Sequence, residues 1–171
     1  MSVIKFDTIL VPVDFSPFAH EALLYAATLA RRFTSRLIVL HVIAKEFETV
    51  SVHHSAGRRG LPPHVLGPLS DALDVPDETT EAVAIDFHEQ AMTALQHFIP
   101  VELRGLRLER RVAIGHPFEQ IVDLATNESV DLIVMGTHGR TGLSHLMLGS
   151  VAERVVRLAP CPVLTVKGQS S

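Results

Sequence analysis

The chain has a single cysteine, Cys161. No disulfide can form within it, and a reducing, intracellular setting is the simpler expectation. It has no uncharged apolar run approaching the ~20 residues that span a bilayer, and Lys5 and Asp7 interrupt its amino-terminal stretch before a signal-peptide core can develop. These absences point to a cytoplasmic protein with no membrane partner. There is no excess of positive charge either. Fifteen Lys and Arg stand against 19 Asp and Glu, a net charge of −4, which disfavours a sequence-independent nucleic-acid binder. Two phosphate motifs are also missing. No Gly-Lys-Ser/Thr closes a Walker A loop, and no Gly-x-Gly-x-x-Gly follows the first apolar run, which argues against a P-loop motor and a Rossmann dehydrogenase. No internal repeat or low-complexity tract interrupts the chain.

What is present is one domain over residues 1–171, with 47 % hydrophobic and 20 % charged residues, enough for a substantial core. Three short apolar runs, Thr8–Val13, Arg36–Ile43 and 131–135, are continuous rather than alternating, the pattern of parallel strands covered on both faces. Residues 106–112 alternate apolar and charged, as a more exposed strand does, and 162–167 is a fifth candidate. Helical stripes lie between them. Ser16-Pro17, an N-cap and a first-turn proline, precede Phe18, Ala22, Ala26, Leu29 and Phe33. Ile85, Met92, Leu95 and Ile99 make a second stripe, and Phe118, Ile121, Val122 and Ala125 a third. Residues 151–158 make the fourth. Strands alternating with helices predict an α/β fold with a parallel sheet.

Residues 44–80 break this rhythm. They hold four prolines, three glycines and His53, His54 and His64, and the segment is too long for an ordinary connection, so it reads as an insertion or mobile loop with at most a short helix at 66–73. The three histidines match no common zinc spacing and read as loop residues rather than metal ligands.

The most informative stretch follows the third apolar run: Gly136-Thr-His-Gly139-Arg-Thr-Gly142, then Gly149-Ser150-Val-Ala-Glu153. A strand, a glycine-rich loop and a helix start can form a main-chain phosphate cradle, because glycines let backbone N–H groups approach an anion and the helix adds its positive end. The competing reading is local: Ser150-x-x-Glu153 has the pattern of a capping box. A thirteen-residue loop over 137–149 favours the functional reading. Within it lie His138, Arg140 and His145, and Arg140 is the side chain best suited to phosphate, or else a solvated loop charge. Asp14 ends the first run. At the carboxyl end of a strand it can accept hydrogen bonds from a ribose or a base, or it can serve the next helix start. His41 reads as a satisfied core or cleft histidine, and Cys161, between Pro160 and Pro162, as packed rather than reactive.

Val-Pro-Val-Asp14 at the first strand end, the Gly136-x2-Gly139-x9-Gly149-Ser150 spacing, and the terminal Cys161-Pro-Val-Leu-Thr-Val166 together resemble the universal stress protein family. The resemblance covers most of the chain outside 44–80. It implies an open, doubly wound five-stranded parallel sheet of order 3-2-1-4-5 with helices on both faces, often in a homodimer. In the nucleotide-binding branch, the positions matching Pro12, Val13, Asp14 and Val42 surround the adenosine end. Those matching Met135, Gly136, Gly139, Gly149, Ser150 and Val151 line the ribose and phosphate side. The intact glycines and serine place the chain with that branch, as a stress-response regulator binding ATP or AMP, with or without Mg²⁺. A slow ATP hydrolase, or a scaffold that has lost the ligand, is the alternative. Nothing in the spacing of Asp14, His138 and Arg140 requires catalysis. The last strand, 163–167, is apolar on both faces and is expected at a sheet edge, where a second copy could pair with it.

Overall fold

The computed structural model describes residues 5–44, 77–137 and 149–167. The elements run β1 (Thr8–Val13), α1 (Pro17–Phe33), β2 (Arg36–Ile43), α2 (Asp77–Phe98), a short 3-10 turn (Val101–Leu103), β3 (Arg107–Ile114), α3 (Pro117–Asn127), β4 (Leu132–Gly136), α4 (Ser150–Leu158) and β5 (Val163–Val166). The described strands form one parallel sheet of order β3-β2-β1-β4-β5, as expected. Most of the 44–80 insertion, with its three histidines, lies outside the described residues. Its end does not: residues 77–80 already belong to α2. No helix among the described residues is long and apolar enough to cross a membrane.

The continuous apolar runs are explained by the two cores. Successive side chains of a strand point to opposite faces. Ile9, Val11 and Val13 of β1, Leu37 and Val39 of β2, and Leu132 and Val134 of β4 face α1 and Leu95 of α2. Leu10, Ile38, Leu40, Ile133 and Met135 face the other side, against Ile121 and Ala125 of α3 and Ala152 and Val155 of α4. Both sets are buried, so the central positions of these strands are apolar on either face, and Thr8, Arg36 and His41 stand where burial is only partial. The buried face of α1 is nearly all alanine: Ala19, Ala22, Ala26, Ala27 and Ala30, with Leu23. Small side chains let that helix lie close over the middle of the sheet.

At the amino ends of the strands, polar groups hold the layers in register. The Asp131 carboxylate accepts from the Thr8 N–H at 2.9 Å, while the Asp131 N–H donates to the Thr8 carbonyl at 2.9 Å. Beside them Arg36 bridges Glu109 of β3 and Glu128, which follows α3, at 2.5 and 3.0 Å, and Arg111 contacts the same two carboxylates. The alternation of charge in β3 is thus one half of a four-member ring. The Arg36 bond, ahead of that from Arg111, holds the Glu109 carboxyl below its usual range despite the opposing cost of burial. A carboxylate with a depressed folded-state value stabilises above the unfolded value of about 4.5 and loses that contribution as pH falls through the lower folded value. These groups are about one-third exposed, so the effect is modest, of order 1 kcal/mol. We expect Glu109→Gln to lower the melting temperature by about 2–4 °C at neutral pH. The gap from wild type should narrow below pH 4.5, as followed by thermal unfolding across a pH series.

Candidate functional site

The strand order puts β1 and β4 side by side while the chain leaves them in opposite directions, so a crevice opens at their carboxyl ends. β1 turns into α1 within three residues. Asp14 Oδ1 accepts from the Ser16 N–H at 3.0 Å, closing an Asx turn. Ser16 is the buried N-cap, its Oγ accepting from the Ala19 N–H at 3.2 Å, and Pro17 opens the helix, as its sequence signature predicts. Between them Phe15 adopts a left-handed conformation with φ 65°. Such a backbone costs an L-residue about 1–2 kcal/mol, and a bulky aromatic there is uncommon. The ring is held on two sides, with centroids 4.3 Å from His41 and 5.4 Å from Phe98. His41 Nδ1 lies 2.8 Å from the Val13 carbonyl oxygen, and His20 contacts Phe98 from α1 at 5.8 Å. His41 is therefore a satisfied cleft histidine, as expected.

The pairing register fixes the neighbours of Asp14. Val13 is paired with His41, so the next step sets Asp14 beside Val42. On the other side Ile9 and Leu10 are paired with Leu132 and Ile133, so β1 and β4 run side by side in the same direction. Thr137 is pinned in turn. Its N–H donates to the Val166 carbonyl at 3.0 Å, and its carbonyl accepts from the Gly149 N–H at 2.8 Å. The two ends of the glycine-rich loop therefore meet at its base, at the carboxyl end of β4.

The structure thus places Pro12, Val13, Asp14 and Val42 at the carboxyl ends of β1 and β2, Met135 and Gly136 at the carboxyl end of β4, and Gly149, Ser150 and Val151 at the start of α4, where Gly149 is bonded to Thr137. His138, Gly139 and Arg140, with His145, lie outside the described residues. The side chains of Val13 and Met135 belong to the two cores, so these two can meet a ligand only through the main chain. Gly136 has a packing reason to be glycine: a β-carbon there would sit 2.9 Å from Phe18 Cβ and 3.1 Å from the Phe18 carbonyl carbon and oxygen. The capping box of the competing, local reading does not form. Gly149, extended at φ −59° and ψ 147°, is the N-cap and its carbonyl accepts from the Glu153 N–H at 2.8 Å, with no side-chain cap bond. Ser150 is already helical, so its hydroxyl is one position too late to cap.

Two features carried no sequence signal. One is the Phe15 conformation and its stack. The other is Arg154, whose guanidinium lies over the Phe118 ring at 4.9 Å and so places a cation one turn from Ser150. Cys161 is half-buried against the second core. Burial, then the nearby Asp131 charge, pushes its thiol up, which suits a packed role. Among the described residues no group of three His, Cys, Asp or Glu side chains converges as a metal site.

Residues 5–54 and 64–167 match the model of the universal stress protein family. Universal stress protein MJ0577 of Methanocaldococcus jannaschii is 32 % identical over 170 residues, covering 98 % of this chain and 99 % of that protein. The solved structure of MJ0577 superimposes with a TM-score of 0.72, covering 98 % and 100 % of the two chains at 29 % identity. Universal stress protein UspA of Lactobacillus plantarum does so with a TM-score of 0.63 at 28 % identity, covering 96 % and 99 %. Two more distant proteins share the fold, one solved in complex with cAMP at 20 % identity and a TM-score of 0.56, and one from Archaeoglobus fulgidus in complex with dAMP at 22 % and 0.51. They cover 97 % and 96 % of this chain, and all of their own chains. The sheet order, the spaced glycines and these likenesses agree over nearly the whole length: the chain belongs to the universal stress protein family.

Proposed function

We propose that this protein is a cytoplasmic stress-response regulator that binds an adenine nucleotide, ATP or AMP, at the carboxyl ends of β1 and β4. The observation that carries this reading is the setting of Asp14 at the carboxyl end of β1, at the switch point of the sheet, while the glycine-rich loop after the neighbouring β4 is closed at its base by the Gly149–Thr137 hydrogen bond. A carboxylate fixed by the Ser16 N–H is suited to accept hydrogen bonds from the ribose or base. The amino terminus of α4, with the Ser150 hydroxyl outside the cap and Arg154 one turn on, is suited to the phosphates. The cAMP and dAMP complexes of two proteins of this fold support the choice of an adenine nucleotide. Mg²⁺ would accompany ATP by neutralising phosphate charge.

A homodimer through 163–167 belongs to the same proposal. β5 is the sheet edge and Leu164 is exposed on it, and pairing with a second copy would cover that edge.

Mass spectrometry of ligand released from freshly purified, denatured protein, with a thermal-shift panel of nucleotides with and without Mg²⁺, tests the binding. Asp14→Ala is expected to weaken nucleotide binding about 10- to 100-fold, the loss of one or two hydrogen bonds to a charged acceptor. An empty protein with no shift from any adenine nucleotide at millimolar concentration would overturn the proposal. Phosphate release followed in the same samples separates a switch from a slow hydrolase.

A further inference from the structure

We propose that Phe15 is a positioning residue of the nucleotide site, holding the Asp14 carboxylate in its bound orientation through a left-handed backbone; this rests on the nucleotide reading above. Phe15 occupies φ 65°, where glycine or asparagine is the ordinary choice. Backbone strain of this kind persists only where the surroundings over-determine it. Here the surroundings are the rings of His41 and Phe98, which hold the Phe15 ring between β2 and the end of α2. His41 is itself fixed on the Val13 carbonyl, and Phe98 is backed by His20. The clamp thus stands on groups that are already anchored.

The left-handed turn aims the Ser16 N–H back at Asp14 Oδ1, at 3.0 Å. That backbone bond fixes the orientation of the carboxylate relative to the start of α1. Were Phe15 to relax to φ < 0, the following peptide would swing and this bond would be lost. The Asp14 carboxylate would then lose the restraint that ties its orientation to the start of α1. The aromatic clamp therefore acts on the ligand through Asp14 and not by touching it.

This separates two properties of residue 15 that a packing role would not separate: its tolerance of φ > 0 and its apolar bulk. Phe15→Leu keeps most of the apolar bulk, is no easier in the left-handed region, and loses the ring clamp that holds it there. Phe15→Asn loses more apolar contact and favours the observed backbone. Isothermal titration of AMP and of ATP into the full chain reads the difference, with thermal unfolding confirming that each variant folds. We expect Phe15→Leu to raise Kd about 10-fold and Phe15→Asn to stay within about 3-fold of wild type, even where its melting temperature is the lower of the two. In an Asp14→Ala background, adding Phe15→Leu should cause no further loss, because the two residues act as one unit. Phe15→Asn binding as poorly as Phe15→Leu, or losses that add in the double variant, would overturn the proposal while leaving the nucleotide reading intact. A wild-type protein that takes up neither nucleotide would overturn both.

Discussion

Gly136→Val should lower the unfolding free energy by about 3 kcal/mol or more, read as a shift of the urea midpoint at unchanged slope. The reason lies in how closely β4 approaches the start of α1. Even the first added carbon would lie 2.9 Å from Phe18 Cβ and 3.1 Å from the Phe18 carbonyl carbon and oxygen. None of these three atoms is the free end of a flexible side chain, so relief requires the helix and strand to move apart. That motion would open the first core, where Val134, Val166 and Ala22 are all buried. It would also displace Thr137, which joins β5 and the closing bond of the glycine-rich loop. A loss of nucleotide binding in this variant would then be accompanied by a loss of stability. Trimming Phe18 to glycine in the same chain removes the 2.9 Å contact but leaves the two at 3.1 Å, so it should restore stability only in part.

The second large effect is expected at Leu95. It is fully buried and, with Ala91, forms the buried face described for α2, which sits over β3 and β2. Leu95→Ala removes three carbon centres from that contact and leaves a cavity, which in comparable cores costs 2–5 kcal/mol or about that. Because α2 has few other buried anchors among the described residues, the loss should be concentrated there. Hydrogen exchange resolved by segment would show the residues of α2 opening at a free energy well below that of β1 and β4. Equal loss of protection across the whole sheet would mean instead that α2 and the sheet unfold as one unit.

How much of this was legible beforehand follows from what kind of signal each feature sends. β1 and β2 were read with their observed boundaries because a strand covered on both faces leaves an unbroken apolar run with polar residues at its ends. β4 is displaced by one residue: Asp131 looks like a strand start, but its side chain accepts from Thr8 and the run begins at Leu132. The first turn of α2, Asp77 to Thr80, has no apolar residue, so a method that follows apolar periodicity assigns it to the preceding insertion. The adjacency of β1 and β4 was legible from the strand order that the family resemblance implies, and the sheet has that order. The reasons behind individual residues were not. A glycine needed for close packing against Phe18 and a glycine needed for a ligand are the same letter. Ser150 satisfies the capping-box pattern, yet a shift of one residue makes Gly149 the cap. Phe15 is invisible for a deeper reason: nothing local favours a phenylalanine at φ 65°, and the rings that hold it come from residues 41 and 98.

The hydrogen bond from the Gly149 N–H to the Thr137 carbonyl has a consequence for how such a protein can be altered. It makes residues 138–148 a cassette with a fixed mouth: whatever is written between those two positions begins and ends at the same point of the sheet. Loop-closure entropy grows only with the logarithm of length, about 0.6 kcal/mol for each doubling, so a longer or shorter segment would burden the fold little. This one segment could therefore be exchanged between chains with the sheet, both cores and the Asp14 turn left as they are.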